Sequence, residues 1–357
     1  MMQFIVNVGV CGALSSAAVY GLFFYGGRTP FEHDNATRLA IFQDYAQFFL
    51  VLCAIVSIFS YLSIVAMTCF QGEQNLKKKY DAKWALVTGS SSGIGKEIAL
   101  KLAKQGLNIV MAAPAFDKLH APSVEEFRKK FPNQEFRRAD VNLSQDGGEY
   151  MEELRKVTDD ILVQIVFSNA GYLRTGMFST LSPRDNLNNY HCNATASVHI
   201  THHFLRKLKA SKKRGCFVYT SSPAGMLPAP MSAMYGATKA FLTAFATCIA
   251  PEVKYLGIDV GVIHPSPVTS RFYDGAHAIS ALSFFKGTGR GPAKVVSTAF
   301  AGVGRQVIID QGYYAIGLRM VLKLLDSSFM AQAITATSHT VGDFVTLSKE
   351  ADRHDKK

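Results

Sequence analysis

The chain is 357 residues long, 48% of them hydrophobic and 18% charged, with a formal net charge of +11. So few charges on so oily a chain exclude a mainly disordered or coiled-coil protein. The positive charge alone suits an anionic membrane surface or a phosphate-bearing ligand as well as it suits nucleic acid. Six cysteines (Cys11, Cys53, Cys69, Cys192, Cys216 and Cys248) form no CxxC pair, and none lies at zinc-finger spacing from a histidine. No metal site follows, and a reducing compartment fits better than a disulfide framework.

Residues 1–27 carry no charged side chain, and their most apolar part runs from 4 to 25. No basic segment precedes it, which argues against a signal peptide. A second run, 46–70, is 25 residues without a charge. That exceeds the roughly 20 residues a helix needs to cross the hydrocarbon core. Both runs are expected to span a membrane. The loop between them holds Arg28, Glu32, Asp34, Arg38 and Asp44, with a glycosylation sequon at Asn35-Ala36-Thr37. Lys77, Lys78, Lys79 and Lys83 follow the second run, so the positive-inside bias keeps the rest of the chain in the cytosol. The same lysines can meet anionic headgroups.

From Trp84 the texture changes. Short apolar runs (WALVTG, LNIVMAA, EFRRAD, ILVQIVFSNAG, GCFVYTSS, GIDVGVIHP and QVIID) alternate with helical patterns. Ile94, Ile98 and Leu102 recur every four residues, and Gly106 stands where a helix C-cap would fall. Strands alternating with such helices predict βαβ units and a parallel sheet covered on both faces. The stretch 313–331 has Arg319, Lys323 and Asp326 on one helical side and apolar residues elsewhere. It suits a helix lying on a bilayer, a subunit contact in a homodimer, or a core helix equally. The last nine residues read as a solvated charged tail. The domains are therefore expected at 1–83 (membrane anchor), 84–311 (catalytic) and 312–357 (amphipathic helix and tail).

The run Thr88-Gly89-Ser90-Ser91-Ser92-Gly93-Ile94-Gly95 closes the first strand and opens the first helix. Its glycines allow a tight turn and close approach of backbone to a pyrophosphate, and the helix N-terminus supplies N–H donors. Tyr235 and Lys239 are four apart, so on a helix they share one face. An ammonium beside a phenol stabilises the phenolate and lowers its pKa from about 10. Such a phenol can protonate a carbonyl oxygen as hydride arrives at carbon, while Ser222 at a strand end hydrogen-bonds the same oxygen.

The glycine spacing, Gly-xxx-Gly-x-Gly, resembles that of the short-chain dehydrogenase/reductase family, and the resemblance extends over roughly residues 84–310. Asp140 matches the family's acid after the third strand, which holds adenine. Asn169-Ala170-Gly171 matches its NAG motif, and Asn193 its active-site helix asparagine. Ser222, Tyr235 and Lys239 complete the catalytic set at the family's spacing. Pro265, Val268 and Ser270 lie where the family has Pro-Gly-x-Val-x-Thr. The resemblance implies a Rossmann-type, doubly wound parallel sheet. It also implies a dinucleotide held by Gly89, Ser91, Ser92, Gly93, Ile94, Gly95, Asp140, Asn169, Ala170, Gly171, Tyr235, Lys239, Pro265, Val268 and Ser270. Asn193 would tie Lys239 to a water chain that resupplies the proton.

Two departures stand out. The second strand ends Ala112-Ala113-Pro114, where relatives often carry Asp for NAD or Arg for NADP. With no acid to accept ribose hydroxyls, NADPH is favoured, and Ser91, Ser92 or Lys118 are left to meet its phosphate. Ser266 replaces the usual glycine between two prolines, which is expected to stiffen the loop over nicotinamide and alter release rate. After Ser270, the stretch holding Phe272, Tyr273, Leu282, Phe284 and Phe285 occupies the family's variable substrate lid, and its grease suits a long-chain or polycyclic ligand.

Two spans, a basic step and this domain look like the very-long-chain 3-oxoacyl-CoA reductases and their hydroxysteroid dehydrogenase relatives. The expected protein is an endoplasmic-reticulum membrane enzyme of fatty acid biosynthesis. Facing the cytosol, it reduces a keto group on a lipid with NADPH. Ketosphinganine reduction is the nearest alternative and steroid or retinol oxidoreduction a third; an inactive nucleotide-binding scaffold is the alternative of a different class. The basic residues outside the membrane-proximal run are scattered, so no nucleic-acid partner is expected.

Overall fold

The structure, a computed structural model, describes residues 35–70, 72–273 and 287–354. The first apolar run, and Leu282, Phe284 and Phe285 of the expected lid, lie outside the described residues.

Helix α1 (Asn35–Phe70) is a continuous 36-residue rod. Its segment Gln43–Ala66 is long and apolar enough to cross a membrane, and none of that segment is buried. Phe48, Phe49, Leu50, Ile55 and Phe59 all face outward. The helix, at 36 residues, is therefore longer than the charge-free run. From Asn35 on, the expected inter-span loop is helix, because nothing between Asn35 and Gln43 is a helix breaker.

The remaining elements, in chain order, are α2 (Leu76–Tyr80), β1 (Trp84–Thr88), α3 (Gly93–Lys104), β2 (Asn108–Ala113), α4 (His120–Lys130), β3 (Phe136–Asp140), α5 (Tyr150–Lys156) and β4 (Val163–Ser168). Next come α6 (Pro183–Tyr190), α7 (Ala196–Ser211), β5 (Gly215–Thr220), α8 (Ala233–Lys254) and β6 (Ile258–Pro265). The chain closes with α9 (Pro292–Gly302), β7 (Ile308–Gln311), α10 (Gly312–Leu324), α11 (Ser327–Thr337) and α12 (Gly342–His354). The seven strands form one parallel sheet in the order β3-β2-β1-β4-β5-β6-β7. The order reverses direction between β1 and β4, the place where open α/β sheets leave a crevice at the strands' carboxyl ends.

The strands read as unbroken apolar runs because both faces are covered. On one face Leu86, Val110 and Val166 pack against Ile200, Phe204, Leu208 and Leu242. On the other, Ala85, Val87, Ile109 and Ile165 pack against Ile98, Leu102, Phe127 and Phe300. Helix α3 ends as its sequence promised: Gly106 adopts φ +83°, its N–H reaches Ala103 O at 2.8 Å and Leu107 N reaches Leu102 O at 3.2 Å. That is the paired reversal that satisfies a helix C-terminus.

Two boundaries move. Helix α2 buries Leu76 and Tyr80, so the globular unit begins before Trp84. The Tyr80 hydroxyl donates to Asp259 Oδ2 at 2.7 Å. Lys77 Nζ donates to Gly106 O at 2.6 Å and Lys79 Nζ to Val303 O at 2.7 Å. Two lysines of the basic run are thus clasps between this segment and the sheet's helices, and only Lys78 and Lys83 are exposed. At the other end, the expected helix over 313–331 is two helices. Asp326 accepts from the N–H groups of Ser328 (2.8 Å) and Phe329 (3.3 Å) and starts α11, a side-chain cap that ends one helix and opens the next. The tail is helical to His354, with Leu347 and Ala351 buried.

Candidate active site

The glycine turn follows β1. Gly89 (φ +64°) and Gly93 (φ +55°) occupy the left-handed region that side chains rarely adopt. A Cβ on Gly95 would overlap the Gly89 carbonyl, so the third glycine is required for helix α3 to pack on its own turn. Gly89 N donates to Ala112 O at 2.8 Å. Ser92 is the N-cap of α3, and its side chain makes no capping bond. The helix's first N–H groups have no intrahelical partner, and that uncapped end fits the diphosphate of a dinucleotide.

Asn169 and Ala170, just past β4, are fastened to this turn. Both of their N–H groups donate to Thr88 Oγ1 at 3.0 Å. Asn169 Nδ2 donates to Thr88 O at 3.2 Å, and Thr220 Oγ1 donates to Asn169 Oδ1 at 3.1 Å. Gly171 lies between two polar groups: a Cβ there would stand 3.0 Å from Asn193 Oδ1 and 3.3 Å from Lys239 Nζ.

Asn193 sits in a π-turn, His191–Thr195, between α6 and α7. Such bulges in helices concentrate at functional sites. Its Oδ1 accepts from Tyr172 N at 3.0 Å and its Nδ2 donates to Tyr172 O at 3.0 Å. Lys239, on α8 one turn beyond Tyr235, is buried and donates from Nζ to Thr220 O at 2.7 Å. The same Nζ lies 5.5 Å from the centroid of the Tyr235 ring. Burial pushes the Lys239 ammonium down to about 8.

Burial is also the dominant influence on Tyr235. It pushes the phenol up, and a hydrogen bond with Ser222 pulls it back only in part. The lowering expected from the lysine is outweighed by burial: the ammonium lies 5.5 Å from the ring centroid and is directed to the Thr220 carbonyl. Ser222 lies two residues past β5 in extended backbone, and its Oγ also accepts from Ala224 N at 3.1 Å. Asn193 and Lys239 thus meet at Gly171, Lys239 lies over the Tyr235 ring, and Tyr235 meets Ser222, all past the carboxyl ends of β4 and β5.

The wall beyond the phenol is apolar. Leu173, Tyr235 and Leu347 form a buried cluster against which Met177, Met231, Phe272 and Tyr273 pack. Phe272 stacks obliquely on Tyr235, ring centroids 5.7 Å apart. Leu347 was invisible to sequence reasoning, since it lies in a stretch read as leading into a tail; the one signal was its place in a short amphipathic pattern, Phe344, Leu347 and Ala351.

At the adenosine side, Asp140 closes β3 and is paired with Arg138 Nε at 2.8 Å. The corner after β2 is not free of acid. Asp117 Oδ2 accepts the Ser91 hydroxyl at 2.5 Å and Oδ1 accepts from Leu119 N at 3.0 Å. Pro265 closes β6, and Val268 forms a bridge with Arg290. The side chain of Ser270 comes within 3.4 Å of where a Cβ on Gly93 would stand. Ser266 is tied to the helix that follows the last strand. Its Oγ donates to Gln311 O at 2.7 Å and accepts from Tyr314 N (3.1 Å) and Ala315 N (3.2 Å), so it caps α10. Among the described residues no cluster of His, Cys, Asp and Glu could hold a metal ion.

A family model described as short chain dehydrogenase matches residues 83–277. The chain is 27% identical to a very-long-chain 3-oxoacyl-CoA reductase of Aspergillus oryzae over 76% of its own length and 75% of the relative's. It is 30% identical to hydroxysteroid dehydrogenase-like protein 1 of Gallus gallus, over 66% and 70% respectively. A short-chain dehydrogenase from Sphingobium yanoikuyae, solved in complex with NADPH, superposes with a TM-score of 0.59 at 21% identity, covering 68% of this chain and 92% of that one.

Proposed function

The chain belongs to the short-chain dehydrogenase family and is an oxidoreductase of that family, and from that premise we propose that it reduces the keto group of a long-chain lipid, a 3-oxoacyl-CoA in the first instance, with NADPH. The observation that carries the reading is that Ser222 meets Tyr235, Lys239 lies over the Tyr235 ring, and Asn193 and Lys239 both approach Gly171, in a chain whose glycine turn leaves a helix N-terminus without a side-chain cap. A bound reduced nicotinamide supplies the hydride. Gly89, Ser91, Ser92, Gly93, Ile94 and Gly95 would hold its diphosphate, Asp140 its adenine, and Asn169, Ala170, Gly171, Pro265, Val268 and Ser270 the remainder. Tyr235 and Lys239 would reach its nicotinamide ribose.

The residues of the chain do the rest. Burial keeps the Tyr235 phenol protonated at neutral pH, so it is a competent proton donor to an oxygen that gains charge. The Ser222 hydroxyl, hydrogen-bonded to that phenol, is placed to hold the same oxygen. Lys239, charged below about pH 8, puts a positive charge against the ring face and favours the phenolate left after transfer. Asn193 anchors the loop at Tyr172, the residue after Gly171, on the side that Lys239 Nζ also approaches.

The absence of an acid at the end of β2 supports NADPH over NADH, and both oxygens of Asp117 already have partners in Ser91 and Leu119. The apolar wall of Leu173, Met177, Phe272 and Leu347 supports an acyl chain. An apolar 24-residue span followed by lysines supports a membrane-anchored enzyme facing the cytosol from the endoplasmic reticulum.

The test is NADPH oxidation by purified full-length protein in detergent, with long-chain 3-oxoacyl-CoA, 3-ketosphinganine and a steroid ketone as substrates. Turnover with the acyl-CoA, reduced ~100-fold or more in Tyr235→Phe, supports the reading. Nucleotide binding with no turnover of any ketone, alike in wild type and variant, would establish a scaffold instead.

A further inference from the structure

A second polar cluster, separate from the four residues above, adjoins them. His264, the penultimate residue of β6, is fully buried. Its Nδ1 lies 2.8 Å from Asp310 Oδ1 and its Nε2 lies 2.9 Å from Thr243 Oγ1. His264 and Asp310 are register partners on adjacent strands, so the sheet itself sets their spacing. The Asp310 side chain is 1% exposed. Arg319, on α10, donates to it twice, from Nε at 3.0 Å and Nη2 at 3.2 Å.

Thr243 lies one turn beyond Lys239 on α8. It contacts the Ser221 hydroxyl at 3.0 Å, and Ser221 Oγ donates to Lys239 O at 2.6 Å. Ser221 is the neighbour of Ser222, and Lys239 is one turn from Tyr235. The bond from Ser221 to Lys239 O, like that from Lys239 Nζ to Thr220 O, ties the strand end beside one candidate catalytic group to the helix carrying two more.

Proton bookkeeping gives the chain a direction. Burial pushes the His264 imidazole down against the pull of Asp310, so it is neutral at pH 7. The hydrogen bonds from His264 and Arg319 outweigh burial and hold the Asp310 carboxyl at about 2. An anionic acceptor at Asp310 puts the imidazole proton on Nδ1, and Nε2 is left to accept. Thr243 has one proton. It can go to His264 Nε2 at 2.9 Å, to Ser221 Oγ at 3.0 Å or to Lys239 O at 3.1 Å, and the neutral imidazole draws it to Nε2. Thr243 then accepts from Ser221, whose hydroxyl shares its proton between Thr243 Oγ1 at 3.0 Å and Lys239 O at 2.6 Å. Buried ionic groups of this kind add little stability over an apolar filling of equal volume; what they provide is orientation.

We propose that His264 is a positioning residue: held on Asp310 by Arg319, it orients Thr243 against Ser221 and so fixes the separation of Ser222 from Tyr235. The proposal rests on the catalytic reading of those two residues. It makes the catalytic geometry depend on the helix after the last strand, because Arg319 is the group that steadies Asp310.

The test uses full-length protein and three variants. Thr243→Val keeps the shape and removes the hydroxyl; Thr243→Ser restores it. His264→Asn offers an amide donor to Asp310 but no acceptor at the Nε2 position. In Thr243→Val and His264→Asn, kcat is expected to fall about 10- to 100-fold, the scale of a sub-ångström to ångström misplacement. KM for nucleotide and for ketone stays within about twofold, and Thr243→Ser recovers kcat. A wild-type kcat in Thr243→Val, or an equal loss in Thr243→Ser, overturns the proposal. So does a drop in melting temperature with kcat unchanged. Should the wild-type protein reduce no ketone, the functional reading fails by itself, and the positioning role is then read from crystal structures of wild type and Thr243→Val. A Ser222 Oγ to Tyr235 Oη distance longer by about 0.5 Å or more, the tolerance of a working site, supports it; an unchanged distance overturns it.

Discussion

Lys239 donates its ammonium to the main-chain carbonyl of Thr220 across 2.7 Å while almost wholly buried. One hydrogen bond does not repay the hydration a lysine leaves behind, and burial accordingly pushes the group down to about 8. The unfolded chain, with a lysine near its ordinary value, binds more protons than the folded one between about pH 8 and 10.5. Stability from this group is therefore lowest below pH 8, where both states are charged, and rises with pH through that window. Urea denaturation of the wild type at pH 7, 8, 9 and 10 is expected to show a rise approaching 1.4 kcal/mol per pH unit. Lys239→Met is expected to lack that rise. Ketone reduction should run the other way and decline above about pH 8, as the charge beside Tyr235 is lost.

Ser266 holds the first turn of α10 through two main-chain N–H groups. Its loss is the loss of a cap, worth about 1–2 kcal/mol. Ser266→Ala is expected to lower the unfolding free energy from urea denaturation by that amount and to leave kcat unchanged. An increase in kcat with product release accelerated would instead favour the stiffened-loop account.

Much of this arrangement was legible in the chain. The strands of the sheet announce themselves because a parallel strand covered on both faces must be apolar throughout, as WALVT and VQIVFS are. The glycine turn and the Tyr–Lys pair are legible because they are local, within eight and five residues. What sequence could not show was assembled across distance. Asp117 meets Ser91 from 26 residues away, Asp310 meets His264 from 46, and Leu347 joins Tyr235 from the far end of the chain. The effect on Tyr235 was misjudged for the same reason. Pairing with Lys239 is local, whereas the desolvation that outweighs it comes from the whole fold around the ring.

On the proposed reading, the corner beyond β2 is where the two dinucleotides are told apart. Asp117 is bonded to Ser91 and Leu119, and Lys118 beside it is exposed, so a 2′-phosphate would meet one charge of each sign. The proposed preference for NADPH then rests on Lys118. Lys118→Ala is expected to lower kcat/KM for NADPH a few-fold and leave NADH unaffected, the scale of an exposed ion pair. Asp117→Asn is expected to widen the NADPH advantage. A wild type that prefers NADH, or a Lys118→Ala with unchanged NADPH kinetics, removes the phosphate from this corner.

Leu347 reaches Tyr235 from helix α12, and together with Phe272 it supplies much of the apolar wall beside the phenol. A chain-binding wall acts through buried area, so its loss should scale with how much of the substrate lies against it. Truncating a buried leucine removes about 2–5 kcal/mol of packing in a closed core, and a wall shared with substrate gives up part of that on binding. For Leu347→Ala and Phe272→Ala, KM for a long-chain ketone is expected to rise ten-fold or more, while a short ketone that never reaches the wall keeps its KM. kcat should hold for both substrates, because neither residue carries a proton. Equal losses for short and long substrates would mean that these residues support Tyr235 itself; steady-state kinetics across a series of acyl lengths separates the two.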